Sequence, residues 1–575
     1  MRILLPALIA TLTLAGPSTA QMKPPVPSGP ISPARLSADV KVLADSRLAG
    51  RAPGGPGEAG TIAYLVSQFK AAGLKPAGEK GGWTQAVPLV RFQVDPAQAK
   101  FQLTAGGRAR DLAQTRDVMI WSQRPVPRVQ VASAPLVFVG YGVTAPERGW
   151  DDFKGHDLKG KIAVILINDP DFEAQPGDPV AGKFGGKAAT YYGRWIYKFE
   201  EAARRGALGA IIVHETAGAA YPWSTVVASN GDSYDVVRAD PARVHPLLQG
   251  WIQRDLAVEL FKECGLDFEA EKVRARTAGF RPVELKGASF SADYEIKTAR
   301  LMSRNVLAQV PGAVRPKESV MFAAHWDAFG QGPPDASGDT VRHGAADDGV
   351  GVAGVLEIAR AFAHGKPPQR TAVFAVWTAE ERGLLGSEYY ATHPLFPLAT
   401  TAGNFTLDVV ETAGPSRDLV LVGSGKDSLE ADMARAARAQ GRTITPDPHP
   451  EKALFYRADH FSVAKRGVPT VLIMGMAGGP DLVAGGREAG ERWVNDYTAR
   501  CYHQVCDDWS AAWDLRGAAQ DIDLLYEVGH RLANSRSWPT WNAGSEFSAA
   551  RDATAAMRRP LPARDNSRRE RRPRL

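Results

Sequence analysis

The chain has 575 residues, of which 44% are hydrophobic and 23% are charged. A chain of this length is too long for one compact core, so we expect two or three domains. The composition is that of a soluble globular protein. The formal net charge of +6 is local, because residues 551–575 alone hold nine basic and three acidic residues, and Arg2 adds one more. The remaining 59 basic and 60 acidic residues nearly balance, which argues against a nucleic-acid-binding surface on the folded part.

The N-terminus has the pattern of a secretory signal peptide over residues 1–20. Arg2 precedes an apolar run from Ile3 to about Ala15, and a small-residue cleavage segment follows. We therefore expect a mature protein that begins near Gln21 and is periplasmic or secreted. No Cys follows the run, so a lipid anchor is not indicated. No later apolar stretch is long enough to span a bilayer, so we expect no integral membrane segment.

After this segment, the first half of the chain shows two successive patterns of apolar residues. Apolar spacing predicts helices over 35–45 and 58–72, and weak alternation predicts strands over 83–104. Residues 125–285 contain short apolar runs separated by Gly, Asp and Pro turns, with one helix predicted over 195–205. This second pattern predicts a small β-rich module.

From about residue 301, apolar strands alternate with helices. The predicted strands are 321–324, 373–377, 405–407 and 468–473, and the predicted helices are 352–362, 428–439 and 515–533. Alternation of this kind predicts an α/β fold with a mixed, mostly parallel sheet flanked by helices. We expect residues 34–120 and 290–545 to form this discontinuous domain, with the module at 125–285 inserted into it. Residues 550–575 are predicted to be a disordered basic tail.

Five separate segments of the second half each carry a residue of the kind that binds divalent metals. These residues are His325, Asp347, Glu381, Asp408 and His503. Three of the segments end or follow an apolar strand, and ligand sites of parallel sheets lie beyond the carboxyl ends of the strands. Two histidines and three carboxylates suit two zinc-like ions, each held by one imidazole, one carboxylate of its own and one shared carboxylate.

Three neighbouring side chains could act on a water held by such a metal pair. Adjacent Glu380 and Glu381 cannot easily point at the same atom, which leaves Glu380 as the base that takes the proton of the water. Asp327, two residues after His325, could accept the second N–H of the imidazole. Tyr502 could donate to the oxyanion that forms when water adds to a carbonyl. The set predicts a metallohydrolase.

The order of these motifs resembles the M28 family of co-catalytic zinc aminopeptidases. The motifs are His-x-Asp (325–327), Ala-Asp-Asp (346–348), Glu-Glu-x-Gly-Leu-Leu-Gly-Ser (380–387), Leu-Asp (407–408) and Tyr-His (502–503). Residues 125–285 are similar to the protease-associated domain inserted in many members. The resemblance implies a zinc exopeptidase-like fold, two Zn²⁺ ions and the removal of N-terminal residues from peptides with a free N-terminus. Co²⁺ or Mn²⁺ could occupy the same mixed nitrogen and oxygen sites.

The resemblance also implies how the ligands are shared. Asp347 would bridge both ions. His325 and Asp408 would complete one site. Glu381 and His503 would complete the other.

Further roles follow from the same resemblance. Glu380 would be the general base, and Tyr502 would assist the oxyanion. A cis peptide bond is expected before Asp348, and a disulfide is expected to join Cys501 and Cys506 around the last histidine.

Each candidate residue has a weaker explanation when it is considered alone. A histidine after a strand is usually a satisfied polar group, and Asp347 alone could cap a turn or a helix. The ordered set favours metal binding over these explanations. His343 is expected at the rim of the site, and the pair Asp459–His460 is expected to support the substrate pocket without contacting metal.

Two other functions within the same fold stay open. A carboxypeptidase or another amidohydrolase would need a cationic side chain to hold a free carboxylate, and Arg457 is the basic candidate near the cleft. A non-catalytic, receptor-like homologue would have lost ligands, and none is missing here. The sequence leaves the oligomeric state and the preferred terminal residue open.

Overall fold

The computed structural model describes residues 30–229 and 231–558. The predicted signal peptide, residues 1–20, lies outside the described residues, as do residues 559–575 of the predicted tail. Within the described ranges, no helix combines the length and the apolarity needed to cross a bilayer.

The strands are between two and 28 residues long. Within the described ranges they are β1 Lys75–Pro76, β2 Thr84–Val94, β3 Lys100–Ala105, β4 Arg108–Leu112, β5 Val118–Trp121, β6 Arg128–Phe138, β7 Thr144–Ala145, β8 Trp150–Asp151, β9 Ile162–Leu166, β10 Gly209–His214, β11 Asp232–Val236, β12 Leu248–Gln253, β13 Val283–Val310, β14 Arg315–His325, β15 Gly330–Gln331, β16 Val341–Arg342, β17 Arg370–Trp377, β18 Thr401–Asp408, β19 Asp418–Leu421, β20 Thr443–Pro446 and β21 Thr470–Met474.

The helices lie in three parts of the chain: between residues 33 and 71, between residues 195 and 275, and after residue 350. In the same described ranges they are α1 Pro33–Leu43, α2 Glu58–Ala71, α3 Trp195–Arg204, α4 Thr216–Ala219, α5 Trp223–Val227, α6 Arg254–Glu263, α7 Phe268–Ala275, α8 Val350–His364, α9 Leu385–Thr392, α10 Leu429–Ala439, α11 His460–Ala464, α12 Gly486–Asp496, α13 Arg516–Asn534 and α14 Ser548–Asp552.

The long strand β13 belongs to two sheet regions at once. Its first half pairs antiparallel with β6 and β3, and its second half pairs antiparallel with β2 and β17. Beyond β17, the strands β14, β18 and β21 continue in parallel. Beyond β6, the strands β9, β10 and β12 are parallel and β5 closes the edge antiparallel. The predicted mixed, mostly parallel sheet is therefore confirmed.

Strand β14 is buried on both faces, which explains its continuous apolar sequence. Phe322 and Ala324 point into the core that includes α8 and α13. Met321 and Ala323 point into a separate core on the opposite face, beneath α9 and α11. Helices therefore cover both faces of this sheet, as the alternating pattern predicts.

The region predicted as an inserted β-rich module shares its cores with residues 90–120 and contains more helix than expected. The sequence analysis predicts one helix here, but α4, α5, α6 and α7 are also present. Leu260 and Phe261 of α6 are buried in the core of the module, and Asp267 caps α7 by accepting the N–H of Ala270. The predicted junction at 285–290 falls inside β13, where the strand continues without interruption, so the domain bounds stay predictions.

The predicted disordered tail is wrong for residues 550–558. Arg551 is a buried residue of α14 and donates to the carbonyl oxygen of Thr401 at 3.0 Å. Arg558 donates to the carbonyl oxygen of Ala399 at 3.1 Å. These guanidinium groups satisfy carbonyls at the start of β18, so the segment is fixed to the sheet domain through its basic side chains.

Candidate metal centre

The polar residues of the candidate site lie at one edge of the sheet because their strands are parallel. His325 ends β14 and Asp408 ends β18, while Glu380 and Glu381 follow the end of β17. Asp347 lies in the turn that leads into α8. This edge is where open α/β sheets place their ligand sites.

Two groups of candidate ligand atoms share the carboxylate of Asp347. Nε2 of His325 lies 3.2 Å from Asp347 Oδ1 and 3.8 Å from Asp408 Oδ1. Nε2 of His503 lies 3.2 Å from Asp347 Oδ2 and 3.2 Å from Glu381 Oε2. Within each group, the potential ligand atoms all lie within 4.8 Å of one another. The structure thus brings the five predicted residues together in the predicted pairing, while their role as ligands stays a prediction.

The arrangement of the candidate ligand atoms fits metal binding better than hydrogen bonding between the side chains. The Nε2 atoms of His325 and His503 are buried and make no hydrogen bond to any described residue, although carboxylate oxygens lie 3.2 Å away. Buried polar nitrogens are otherwise almost always hydrogen-bonded. Imidazole nitrogens and carboxylate oxygens that converge without hydrogen bonding are the ligand set of a zinc site.

The site is also rich in negative charge. Burial and the nearby Asp408 and Glu381 raise the pKa of Glu380 well above its usual range. Burial, together with the charge of Asp347, raises the pKa of Glu381 to about 7. Burial alone would lower the pKa of His503, but Glu381 and Asp347 raise it to about 10. Clustered carboxylates of this kind are costly unless cations neutralise them, which again fits divalent metal ions.

Asp327 contacts both His325 and the turn that carries Glu380 and Glu381, but its contact with His325 differs from the one expected. The backbone carbonyl oxygen of Asp327, and not its carboxylate, lies 3.0 Å from Nδ1 of His325. The carboxylate is 3.8 Å from that nitrogen and instead accepts the backbone N–H groups of Glu380 (3.0 Å) and Glu381 (3.3 Å). The predicted hydrogen bond from the His325 ring to the Asp327 carboxylate is wrong, because this carboxylate binds the turn that carries Glu380 and Glu381.

Asp348 links the end of β14 to the start of α8. The peptide bond between Asp347 and Asp348 is cis, as the resemblance implies. The buried carboxylate of Asp348 accepts the backbone N–H of His325 at 3.1 Å and that of Gly351 at 3.0 Å. The segment with the shared carboxylate is therefore fixed relative to the first histidine.

Two residues that the sequence analysis did not single out hold the same segment. The buried carboxylate of Asp507 accepts the backbone N–H groups of Ala346 (2.8 Å) and Asp347 (3.1 Å). The fully buried guanidinium of Arg51 donates to four carbonyl oxygens, among them that of Gly344 at 2.7 Å. Each ends a recognisable segment of the sequence: Asp507 ends RCYHQVCD around His503, and Arg51 ends RLAGR (47–51), which resembles an N-terminal segment of the M28 family.

The predicted catalytic side chains Glu380 and Tyr502 lie beside the two candidate histidine ligands. Glu380 Oε2 lies 3.9 Å from Nε2 of His325, and among the described residues the Glu380 carboxylate makes no hydrogen bond. The ring of Tyr502 packs on that of His503 with centroids 3.6 Å apart. Burial and the nearby Asp347 raise the pKa of Tyr502 well above its usual value, so its phenol remains a hydrogen-bond donor.

The histidine expected at the rim is buried instead. His343 is only 3% exposed. Its Nδ1 lies 2.6 Å from the carbonyl oxygen of Ala44, and its Nε2 lies 3.3 Å from Asp339 Oδ2. It belongs to neither group of ligand atoms. The rim prediction is wrong because this side chain connects α1 to the loop before the metal centre.

The pair Asp459–His460 is buried beside the cleft. Burial raises the pKa of Asp459 to about 8, and burial lowers the pKa of His460 to about 3. The His460 ring packs edge-on against Phe455 at 4.6 Å. A supporting role for the pair stays a prediction. Arg457 is exposed and forms no ion pair within the described ranges.

A disulfide joins Cys501 and Cys506. It closes the loop that carries His503, whose backbone has the left-handed φ of 62°. A cross-link around a residue in this conformation restricts the loop to few alternatives.

Residues 305–526 match Peptidase family M28. This part of the chain is an M28 family domain. The matched segment contains all five candidate ligands as well as Glu380 and Tyr502. The resemblance seen in the dispersed motifs is therefore confirmed for the M28 part of the chain, while the protease-associated identity of residues 125–285 stays a prediction.

Several curated proteins are similar to parts of this chain. Aminopeptidase Y of Saccharomyces cerevisiae is 28% identical over 207 residues, which are 35% of this chain and 34% of that protein. A probable zinc metalloprotease of Pyrenophora teres is 38% identical over 105 residues, which are 18% of this chain and 22% of that protein. The chain thus spans about a third or less of the length of these two relatives.

Among solved structures, an aminopeptidase from Aneurinibacillus sp. strain AM-1 is similar at 20% sequence identity and a TM-score of 0.45. The similarity covers 87% of this chain and 93% of that protein.

The predicted periplasmic or secreted location is wrong. Relatives from Candida dubliniensis, Schizophyllum commune, Verticillium alfalfae and Candida tropicalis are each named Vacuolar membrane protease. The prediction depended on the apolar run within residues 1–20, and such a run indicates entry into a secretory route without specifying the destination.

Proposed function

We propose that this protein, with its M28 domain, is a dizinc aminopeptidase that removes N-terminal residues from peptides. The observation that carries the proposal is the pair of ligand groups that share Asp347, beside the free carboxylate of Glu380. Membership of a peptidase family and the printed names of the relatives, aminopeptidase Y among them, support this choice of reaction.

Each proposed zinc position would have three protein ligands. His325, Asp347 and Asp408 would hold one ion. Asp347, Glu381 and His503 would hold the other. When bound, the ions would polarise the scissile carbonyl and make the attacking water more acidic.

Glu380 is proposed as the general base. Its carboxylate faces the cleft without a hydrogen-bonding partner among the described residues, so it can accept a proton from water and pass it to the leaving amine. The two backbone hydrogen bonds from the 380–381 turn to Asp327 hold this side chain in place. Tyr502, which keeps its phenolic proton, would donate to the oxyanion that develops on the carbonyl.

The proposed domain organisation follows the predicted bounds. Residues 34–120 and 290–545 would form the peptidase domain, and residues 125–285 would form an inserted protease-associated domain. Among the described residues, the core beneath α8 and α13 includes no residue of 125–285, which supports a separate peptidase domain. The core of residues 125–285 also includes Phe101, Leu103, Val118 and Ile120, so the boundary at 120–125 has no support from the packing. Peptides with a free N-terminus would bind in the cleft next to the shared carboxylate.

The test compares blocked dipeptides as substrates of the full chain, with and without a chelator. The proposal predicts cleavage of C-amidated dipeptides that have a free N-terminus, no cleavage of N-acetylated dipeptides, and loss of activity on chelation that zinc restores. Cleavage of only the N-acetylated dipeptides would contradict it in favour of a carboxypeptidase, with Arg457 as the carboxylate-binding residue. No cleavage and no bound zinc would favour a receptor-like protein.

A further inference from the structure

The two histidines of the candidate metal centre are oriented by different means. Nδ1 of His325 is held by the carbonyl oxygen of Asp327 at 3.0 Å. Nδ1 of His503 makes no hydrogen bond to any residue of 30–229 or 231–558. Metal-binding histidines almost always use their second nitrogen in a hydrogen bond that fixes the ring. Among the described residues, only contacts of another kind can orient the ring of His503.

Aromatic packing supplies those contacts. The ring of Phe329 lies against that of His503, with centroids 4.2 Å apart and an angle of 40° between the planes. Tyr502 packs against the same imidazole at 3.6 Å. Tyr502 is adjacent in sequence and moves with the loop, whereas Phe329 belongs to the segment after β14. Phe329 therefore fixes the position of the His503 ring relative to the sheet.

Phe329 is in turn held by Arg382, the residue after the proposed ligand Glu381. The guanidinium carbon of Arg382 lies 5.1 Å from the centroid of the Phe329 ring, and Nη2 lies 3.5 Å from the Phe329 carbonyl oxygen. The same guanidinium lies 5.2 Å from the centroid of the Tyr234 ring. Arg382 therefore contacts two aromatic rings that are 95 positions apart in the sequence.

Tyr234 has a fixed position of its own. It lies in β11, opposite Arg91 of β2, and the guanidinium of Arg91 is 5.7 Å from the Tyr234 ring centroid. Arg91 also pairs with Asp232 at 2.6 Å. The carbonyl oxygen of Tyr234 accepts a hydrogen bond from Gln123 at 2.7 Å. The backbone of Tyr234 is thus held by strand pairing and a hydrogen bond, and its ring lies beside a guanidinium that an ion pair fixes; these contacts are all outside the M28 segment.

We infer that Tyr234 and Arg382 are positioning residues that hold Phe329 against His503 and so fix the zinc position that contains Glu381 and His503. Tyr234 lies in the predicted inserted region, so this series of contacts connects that region to the metal centre. The inference rests on the proposed function, because it assumes that His503 binds zinc.

The test is a zinc titration of the full chain in competition with a chromophoric chelator, which reports the two binding steps separately. Tyr234→Leu and Arg382→Met are expected to weaken one step about 10-fold and to leave the other unchanged, because only one zinc position contains His503. Tyr234→Phe and Arg382→Lys keep a ring and a cation, and are expected to bind zinc like the wild type. The double variant Tyr234→Leu/Arg382→Met should lose less than the product of the two single effects, because both act through Phe329.

Matched controls are Tyr389→Leu, whose ring stacks on His393, and Arg47→Met, whose side chain is exposed and pairs with Asp45. Both are expected to titrate like the wild type. The inference is overturned if both zinc steps shift equally, if neither shifts, or if the conservative variants lose as much affinity as the disruptive ones. If the variants bind zinc normally while the wild type binds two ions and cleaves peptides, this inference fails and the proposed function stands.

Discussion

The carboxylate of Asp507 accepts the backbone N–H of Asp347 at 3.1 Å. This contact joins the segment with the shared carboxylate to the loop that carries His503, four residues before Asp507. The second carboxylate oxygen accepts the N–H of Ala346 at 2.8 Å. Both donors are backbone groups, so Asp507 fixes the direction in which the Asp347 side chain leaves the chain.

The first prediction concerns this contact. Asp507→Asn replaces one acceptor oxygen by an NH₂ group that faces a backbone N–H, so the segment should lose its position and zinc should bind about 10- to 100-fold more weakly. Zinc affinity is measured by competition with a chelator. The neighbouring Asp508→Asn, at a half-exposed site, is the control. Unchanged affinity in Asp507→Asn would remove Asp507 from the support of the metal centre.

The second prediction separates chemistry from metal binding at Glu380. Glu380→Gln keeps the shape of the side chain but cannot accept the proton of the water, so kcat should fall by about 100- to 10,000-fold while the zinc content stays at the wild-type value. The measurement is steady-state kinetics on an unblocked dipeptide together with metal analysis of the same sample. Wild-type turnover in this variant would exclude Glu380 as the base.

The third prediction concerns the buried guanidinium of Arg51. It donates to the carbonyl oxygens of Leu43, Trp326, His343 and Gly344 at 2.6–2.7 Å. Arg51→Met leaves these acceptors buried without a donor, so we expect a loss of about 3–5 kcal/mol in the free energy of unfolding.

The loss is measured by urea unfolding in the presence of a chelator, so that metal binding does not contribute. Arg47→Met, at an exposed position close in sequence, should change stability by less than about 0.5 kcal/mol. Equal stability of the two variants would mean that water or a rearranged backbone satisfies the four carbonyls.

The fourth prediction is a pH dependence away from the metal centre. Burial raises the pKa of Asp152 to about 7, although hydrogen bonds from the Val143 N–H and the Trp150 indole act in the opposite direction. In the unfolded chain an aspartate titrates near about 4. Since the pKa in the folded state is the higher one, the contribution of Asp152 to stability is complete below about pH 4 and is lost as the pH rises through about 7.

Between about pH 5 and about pH 8, the wild type should therefore lose about 2–3 kcal/mol more stability than Asp152→Asn, which cannot titrate. Urea unfolding at both pH values, again with a chelator present, measures this difference. Identical pH dependence of the two proteins would show that Asp152 is ionised in the folded protein throughout this range.

The sequence was most informative where a side chain follows an apolar strand. His325 and Asp408 end strands that are buried on both faces, and parallel pairing of β14 with β18 then brings the two residues to one edge. The pattern of apolar runs therefore predicted both the sheet and the position of these candidate ligands. The pairing of the ligands came from the family resemblance.

Contacts to backbone atoms could not be predicted in the same way. Asp327 was expected to bind His325 through its carboxylate, yet its carbonyl oxygen makes that contact. The role of Arg51 likewise depends on four carbonyl oxygens, which any residue type supplies. Neither arrangement leaves a pattern in the sequence, because it depends on where distant segments meet in the folded chain.

The helices α6 and α7 were missed for a different reason. Ala257, Leu260 and Phe261 have the spacing of a helix face, so the signal was present in the sequence. The surrounding short apolar runs suggested strands throughout the region. The structure contains both, since α6 packs its apolar face into the core below the neighbouring strands.

The central claim is that Asp347 is shared by two zinc ions, and metal analysis of the purified full chain tests it most directly. The account predicts two zinc ions per chain in the wild type, and the loss of both in Asp347→Asn, because each ligand group includes this carboxylate. One zinc ion or none in the wild type, or two zinc ions retained by Asp347→Asn, would contradict it.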